Sequence, residues 1–265
     1  PTRMTLLNES GLPTAPINTR NYTSAAMKGV ILGVGLWMGI GLLYALTHRT
    51  VNNEEQLGDL INLPCLGKLP TVRGLSGGKK HCPIVNESND KFGFNESVRL
   101  LRVRVERSLA KLDGKVLLVT SSIAKEGKTT ISVNLATALA QKGKKVLLID
   151  CDLRNPSVAG VLEQKNDVGL AEFLKGECTI KEILCRMKNS NLCVIYGGKP
   201  VSKPNELLRQ RAARDLIKAA RNGFDYIVLD TPPCALMSDA AEIGTWADGA
   251  ILTVRKDYAC RRQIL

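Results

Sequence analysis

Three times in its C-terminal half the chain runs through a short, strongly apolar stretch and stops on polar residues. KVLLVTS at 115–121 leads into SIAKEGKTT, KVLLID at 145–150 into CDLRNP, and DYIVLD at 225–230 into TPP. Runs this short, rich in Val, Ile and Leu at consecutive positions, suit strands buried on both faces, as in a parallel sheet covered by helices. Between them apolar residues recur at helical spacing, as in ISVNLATALAQKG after the first run. Strand candidates at 116–121, 145–150, 192–196, 225–230 and 249–255 thus alternate with helical stretches near 128–141, 179–188, 204–222 and 238–246. The expected fold is α/β, a doubly wound, mostly parallel sheet with right-handed crossovers. Such a sheet gathers the polar ends of its strands along one edge.

Those polar ends point to phosphate chemistry. Gly127-Lys128-Thr129-Thr130 matches the ending of GxxxxGK[ST], in the strand–loop–helix setting that a phosphate-cradling loop requires, with Ser122 in place of the first glycine. Gly127 lets the backbone approach phosphate, Lys128 reaches the β- and γ-phosphates, the Thr129 hydroxyl ligates Mg²⁺, and the helix N-terminus adds its dipole. Ser122, Lys125, Glu126 and Thr130 complete the expected ATP-binding set. Lys125 offers an extra phosphate contact, although a solvated lysine is the plainer reading. The second run ends in Asp150 and Asp152. Alternate residues on a strand point the same way, so both can face one Mg²⁺–phosphate centre; strand-end aspartates also serve as turn residues. The third run ends in Asp230, where a carboxylate near Mg²⁺ is expected. Thr129, Asp152 and Asp230 are therefore the candidate metal ligands.

Residues 29–46, GVILGVGLWMGIGLLYAL, carry no charge and no polar stripe, and are long enough to approach the ~30 Å of a bilayer core. A transmembrane helix over 25–47 is expected, and the THRTVNNEE that follows offers no small-residue cleavage site. Because ATP and Mg²⁺ are cytosolic, residues 1–24 are placed outside and the rest inside a cell membrane. The polar stretch 48–90, with Pro64, Pro70, Pro83 and the run GLSGGKK, reads as a linker with one short helix at 54–61, ahead of a catalytic domain at 91–265. The chain begins at Pro1 rather than Met and is expected to be part of a longer product. Its formal charge of +12 names no partner by itself. Eight cysteines without a CxxC pair, and two histidines, give no zinc spacing and suit free thiols in a reducing compartment. A basic face at Arg209, Arg211, Arg214, Lys218 and Arg221 reads as solvated, and no nucleic-acid partner is expected.

Three motifs together resemble the bacterial (BY-type) protein tyrosine kinases of the P-loop MinD/ParA-like superfamily: DxDxR at Asp150, Asp152 and Arg154, an apolar run ending D[ST]P at Asp230-Thr231-Pro232, and ExxRxxR at Glu96, Arg99 and Arg102. The segment before them, with Pro13 and Pro16 ahead of the apolar helix, resembles the end of a polysaccharide chain-length regulator (Wzz-like) domain. The resemblance implies an ATP- and Mg²⁺-dependent tyrosine autokinase acting on protein tyrosines and working with polysaccharide polymerisation and export machinery at a bacterial cell membrane. It implies catalytic roles for Lys128, Asp150, Asp152 and Asp230, with Asp150 receiving the tyrosine proton. It also implies a ring-like homo-oligomer built through Glu96, Arg99 and Arg102, residues that on spacing alone read as a solvated, ion-paired face. Members of the family end in a tyrosine-rich tail; here Tyr258 is the tyrosine near the end and reads as structural. The alternative is a MinD/ParA-like switch ATPase without kinase activity. Such ATPases carry a lysine early in the loop, where this chain has Ile123.

Overall fold

The computed structural model describes residues 22–47, 50–51, 54–70, 84–85, 92–165, 167–234 and 239–264. Pro13, Pro16, His48, Arg49, Pro83, the GLSGGKK run and residue 238 lie outside them. In chain order the elements are α1 (Tyr22–Thr47), α2 (Glu54–Ile61), α3 (Phe92–Lys111), β1 (Val116–Ser121), α4 (Lys128–Gln141), β2 (Val146–Asp150), α5 (Val158–Val161) and α6 (Leu170–Leu174). Then come α7 (Ile180–Ile183), β3 (Leu184–Arg186), β4 (Leu192–Ile195), α8 (Pro204–Leu208), α9 (Arg211–Gly223), β5 (Tyr226–Asp230), α10 (Asp239–Gly244), β6 (Gly249–Thr253) and α11 (Arg261–Ile264).

Helix α1 forms a unit by itself, and the chain from Thr50 onward forms another. By length and composition α1 is able to cross a membrane, and none of the apolar window is buried within the chain.

The second unit is built on a six-stranded sheet in the order β3-β4-β2-β5-β1-β6. Every pairing is parallel except that of the edge strand β3 with β4. Alternate side chains feed two cores. Val116, Leu118, Leu147, Ile149, Ile227 and Leu229 face the layer that includes Leu208, Ala213, Ile217 and Ile243. Leu117, Val119, Val146, Leu148 and Val228 face the layer that includes Leu101, Val105, Leu109, Leu135 and Leu139. This two-sided burial is why the strand sequences are apolar at every position rather than alternating.

The chain around the sheet departs from the sequence reading at two helices. The expected helix at 179–188 ends at Ile183 and gives way to the antiparallel β3–β4 hairpin. Its turn is made by KNSN, with Asn189 in the left-handed region at φ 53°. The expected helix at 204–222 is two helices, because Gln210 adopts extended backbone (φ −64°, ψ 151°) between them. On this pair the basic face is largely neutralised: Arg209 and Arg214 pair with Glu242, Arg211 with Asp215 and Arg221 with Asp248. The short helix expected at 54–61 is present. Its Leu57, Leu60 and Ile61 pack with Val51, Ala259 and Ile264. Further along, the Leu66 carbonyl accepts a bond from Arg104 at 3.0 Å.

Two carboxylates staple the amino edge of the sheet, away from the strand ends that carry the motifs. Asp225 accepts the Lys145 amide at 2.7 Å. Asp248 accepts the Lys115 and Val116 amides at 2.7 and 2.8 Å and both terminal nitrogens of Arg221 at 2.9 and 2.7 Å. Partial burial opposes the Asp248 charge, but the Arg221 guanidinium and the two amides outweigh it and hold the carboxyl below its ordinary 3.8. A lowered folded-state value means that this contribution is complete above pH 3.8 and is lost as the pH falls below it. Asp248→Ala is expected to lower unfolding stability by about 2 kcal/mol at neutral pH. The urea midpoint of the variant should converge on that of the wild type below pH 3.8, where the native carboxyl is being protonated.

Candidate active site

The strand order decides which polar ends meet. Along the carboxyl edge, β1 delivers the phosphate-type loop, β5 beside it delivers Asp230, and β2 beside that delivers Asp150. Asp150 and Asp230 are direct register partners on neighbouring central strands. Both are fully buried.

The loop after β1 closes into α4 through Gly127, whose φ of 92° lies in the left-handed region that glycine tolerates, and no atom lies within 4 Å of where a side chain would project. That open backbone at the start of a 14-residue helix is the cradle a phosphate needs. Lys128, on the first turn of α4, places Nζ 2.9 Å from Asp152 Oδ2 in a pair that is almost wholly buried. Burial opposes the ammonium, but the carboxylates of Asp230, Asp152 and Asp150 outweigh it and raise its pKa above 10.5. Thr129 Oγ1 donates to Asp230 Oδ2 at 2.7 Å, and Ser132 Oγ, one turn on, reaches Oδ1 at 2.9 Å. Because the Thr129 proton is committed to Asp230, the Ser157 hydroxyl at 2.8 Å donates to Thr129. Asp150 Oδ2 accepts the Ser157 and Val158 amides at 2.9 and 3.0 Å, while among the described residues Oδ1 accepts the Asp152 amide alone, at 3.2 Å. Burial pushes both carboxyls upward; at Asp150 the Asp230 and Asp152 carboxylates add to it, whereas at Asp230 the Lys128 ammonium and the Thr129 and Ser132 hydroxyls work against it.

All four catalytic candidates, Lys128, Asp150, Asp152 and Asp230, therefore converge at one edge of the sheet. The loop candidates divide. Ser122 is buried and Thr129 and Thr130 are half-buried. Lys125 is exposed and sits at φ 67°. Glu126 accepts the Ile123 amide at 2.8 Å and the Arg255 amide at 3.2 Å, tying the loop to the exit of β6. Arg255 also lies over the Tyr258 ring at 5.0 Å. Away from the loop, Glu96 and Arg99 pair at 3.7 Å with both side chains about half exposed, whereas Arg102 is turned in and bound to Glu106 at 3.0 Å.

With this geometry in place, similarity to known proteins becomes specific. Residues 115–261 match the AAA domain family. The chain is 40% identical over 151 residues to tyrosine-protein kinase CpsD of Streptococcus pneumoniae, covering 57% of this chain and 66% of that protein. It is 34% identical over 183 residues to tyrosine-protein kinase YwqD of Bacillus subtilis, covering 69% of this chain and 77% of that protein. The chain belongs to the bacterial tyrosine-protein kinase family. Its structure also resembles the kinase domain of Escherichia coli tyrosine kinase ETK, with a TM-score of 0.72 at 27% identity over 81% of this chain and 86% of that one. The matched stretch spans just under two thirds of the length of the streptococcal relative.

The family's P-loop carries a nucleotide, and these residues fit one. Asp150, Asp152 and Asp230 are buried with Lys128 among them, an acidic cluster that a divalent cation accompanying a phosphate is suited to meet. Among the described residues no three His, Cys, Asp or Glu side chains form a cage for a metal. Mg²⁺ does not require one, since it takes one or two carboxylates together with phosphate oxygens and water.

Ser132, Ser157 and Arg255 were not expected from the sequence. Ser132 carried a usable signal, because it lies four residues after Lys128 and so on the same face of α4. Ser157 carried none, since its position depends on the turn after β2. Ser132→Ala removes one of the two hydroxyls that orient Asp230. It is expected to weaken nucleotide binding in Mg²⁺ buffer about 10-fold, as loss of an outer-shell partner does, when measured by titration calorimetry against wild type.

Proposed function

We propose that the chain is an ATP-dependent protein tyrosine autokinase. In this reading α1 anchors it in a bacterial cell membrane with the P-loop unit in the cytosol, and it controls surface-polysaccharide polymerisation and export. The single observation that carries the reading is the register pairing of Asp150 with Asp230 beside the loop that presents Lys128 and Thr129.

The residues divide the work between phosphate and acceptor. Lys128, whose Nζ lies 2.9 Å from Asp152 Oδ2, contacts the β- and γ-phosphate oxygens and holds them in line. Thr129, Asp152 and Asp230 would hold Mg²⁺, which when bound would supply neutralisation of the phosphate charge. Asp150 acts on the other side. Its Oδ1 edge, with one long amide bond, takes the phenolic proton of the acceptor tyrosine, whose pKa of about 10 otherwise keeps it protonated. The tyrosine Oη–P bond forms, the bond from the γ-phosphorus to the β,γ-bridging oxygen breaks, and ADP leaves with that oxygen. Burial of the acids excludes water from the transfer path, which favours the phenol over hydrolysis. The exposed Glu96–Arg99 pair on α3 provides the subunit contact of a ring in which tyrosines are offered to a neighbour. Arg102 supports that contact through Glu106 rather than by reaching across it.

The full chain in detergent, given labelled ATP and a tyrosine-rich polypeptide, is expected to form phosphotyrosine. Lys128→Ala should reduce the rate by about 100-fold or more. ATP hydrolysis with no phosphotyrosine on any polypeptide supplied would instead identify a switch ATPase.

A further inference from the structure

One buried carboxylate takes no part in the chemistry above. Glu172, in α6, is 6% exposed. Its Oε2 accepts the Gly169 amide at 2.9 Å and its Oε1 accepts the Lys199 amide at 3.2 Å. It thereby bridges the start of α6 to the turn that leaves β4. Backbone bonds reinforce the same junction: Leu170 donates to the Tyr196 carbonyl at 2.8 Å and Ala171 to that of Gly197 at 3.0 Å. The turn is shaped around the carboxylate. Gly198 has φ 84°, and a side chain on it would run into the Glu172 carboxylate.

The same turn lies against the acceptor side of the site. β4 neighbours β2, so the exit of β4 sits next to Asp150. A Cβ on Gly197 would stand 2.7 Å from Pro156 Cβ and 3.5 Å from Asp150 Cγ. Pro156 precedes the Ser157 and Val158 amides that hold Asp150 Oδ2. Beyond the turn, Val201 donates to the Leu153 carbonyl at 2.8 Å and Arg154 to that of Ser202 at 3.2 Å. The stretch 196–202 thus braces the whole segment that carries Asp150 and Asp152, and Glu172 anchors the brace.

We infer that Glu172 is a positioning residue for phosphoryl transfer: by fixing the Gly197–Lys199 turn against Pro156, it holds Asp150 Oδ1 where the acceptor hydroxyl must arrive. The inference rests on the kinase reading. A glutamine at this site keeps the shape but presents an NH₂ to one of the two amides, releasing half of the anchor. Misplacement of a reacting group by a fraction of an ångström costs rate rather than nucleotide affinity.

The test measures phosphotyrosine formation by the full chain in detergent. Glu172→Gln is expected to lower kcat for transfer about 10-fold with the KM for ATP unchanged. Gly197→Ala, which leaves Glu172 intact and pushes the turn off Pro156, should give the same pattern. In an Asp150→Asn background, Glu172→Gln should cause no further loss, because the two act through one group. A kcat equal to wild type in both single variants overturns the inference. So does a loss that appears in the KM for ATP, or one that multiplies with the Asp150→Asn loss. A wild-type chain that hydrolyses ATP without forming phosphotyrosine overturns the kinase reading and the inference with it.

Discussion

Everything at the carboxyl edge depends on two carboxylates buried side by side. Asp150 and Asp230 end adjacent parallel strands and pair in register, so neither can turn away without breaking the ladder. Burying one carboxylate is costly, and burying two together is more so. Each is held by neutral donors. Asp150 takes three backbone amides and Asp230 takes two hydroxyls. Those donors satisfy the oxygens without cancelling the charge. The edge is left electrically unfinished, in the way a site for a metal-bound phosphate should be.

Lys128 offsets part of that imbalance. It pairs with Asp152 through Oδ2, while Asp152 Oδ1 accepts the Asn155 amide at 3.2 Å. A buried pair of this kind is poor evidence for stability, since hydrophobic replacements often serve as well. In the proposed kinase reading the same ammonium serves the phosphate of a bound triphosphate. The two aspartates of the DxD spacing therefore divide their duties, although strand geometry makes them look equivalent. Asp150 takes three backbone amides, whereas Asp152 takes the Asn155 amide and the Lys128 ammonium.

The sequence made the sheet and the four charged residues legible because both follow from local rules. Two-sided burial writes continuous apolar runs, and a phosphate loop needs glycine, lysine and a hydroxyl in fixed succession. The parts that were not legible depend on tertiary partners. The 179–188 stretch kept a helical period in its apolar residues, while the KNSN turn and the pairing of Leu184–Arg186 with Leu192–Ile195 made it a hairpin. ExxRxxR looked like one face, yet Arg102 is captured by Glu106. Glu126 sat inside the loop motif and read as a phosphate contact, while its partners are amides, one of them 129 residues away in sequence.

That last contact explains how an imperfect loop still forms a cradle. Ser122 stands where the pattern has glycine, and Lys125 occupies the left-handed region that glycine fills at little cost. A non-glycine residue there costs about 1 kcal/mol or more and persists only when its surroundings over-determine it. Here they do. Glu126 grips the Ile123 amide from inside the loop and the Arg255 amide from β6, and Arg255 reaches the Lys125 carbonyl at 3.4 Å. Burial raises the Glu126 pKa, while the Ile123, Arg255 and Ser122 amides work to keep it charged. The loop therefore owes its shape to a staple from β6, the edge strand beside β1, as well as to Gly127. A change at the exit of β6, remote from the loop in sequence, reaches it through one carboxylate.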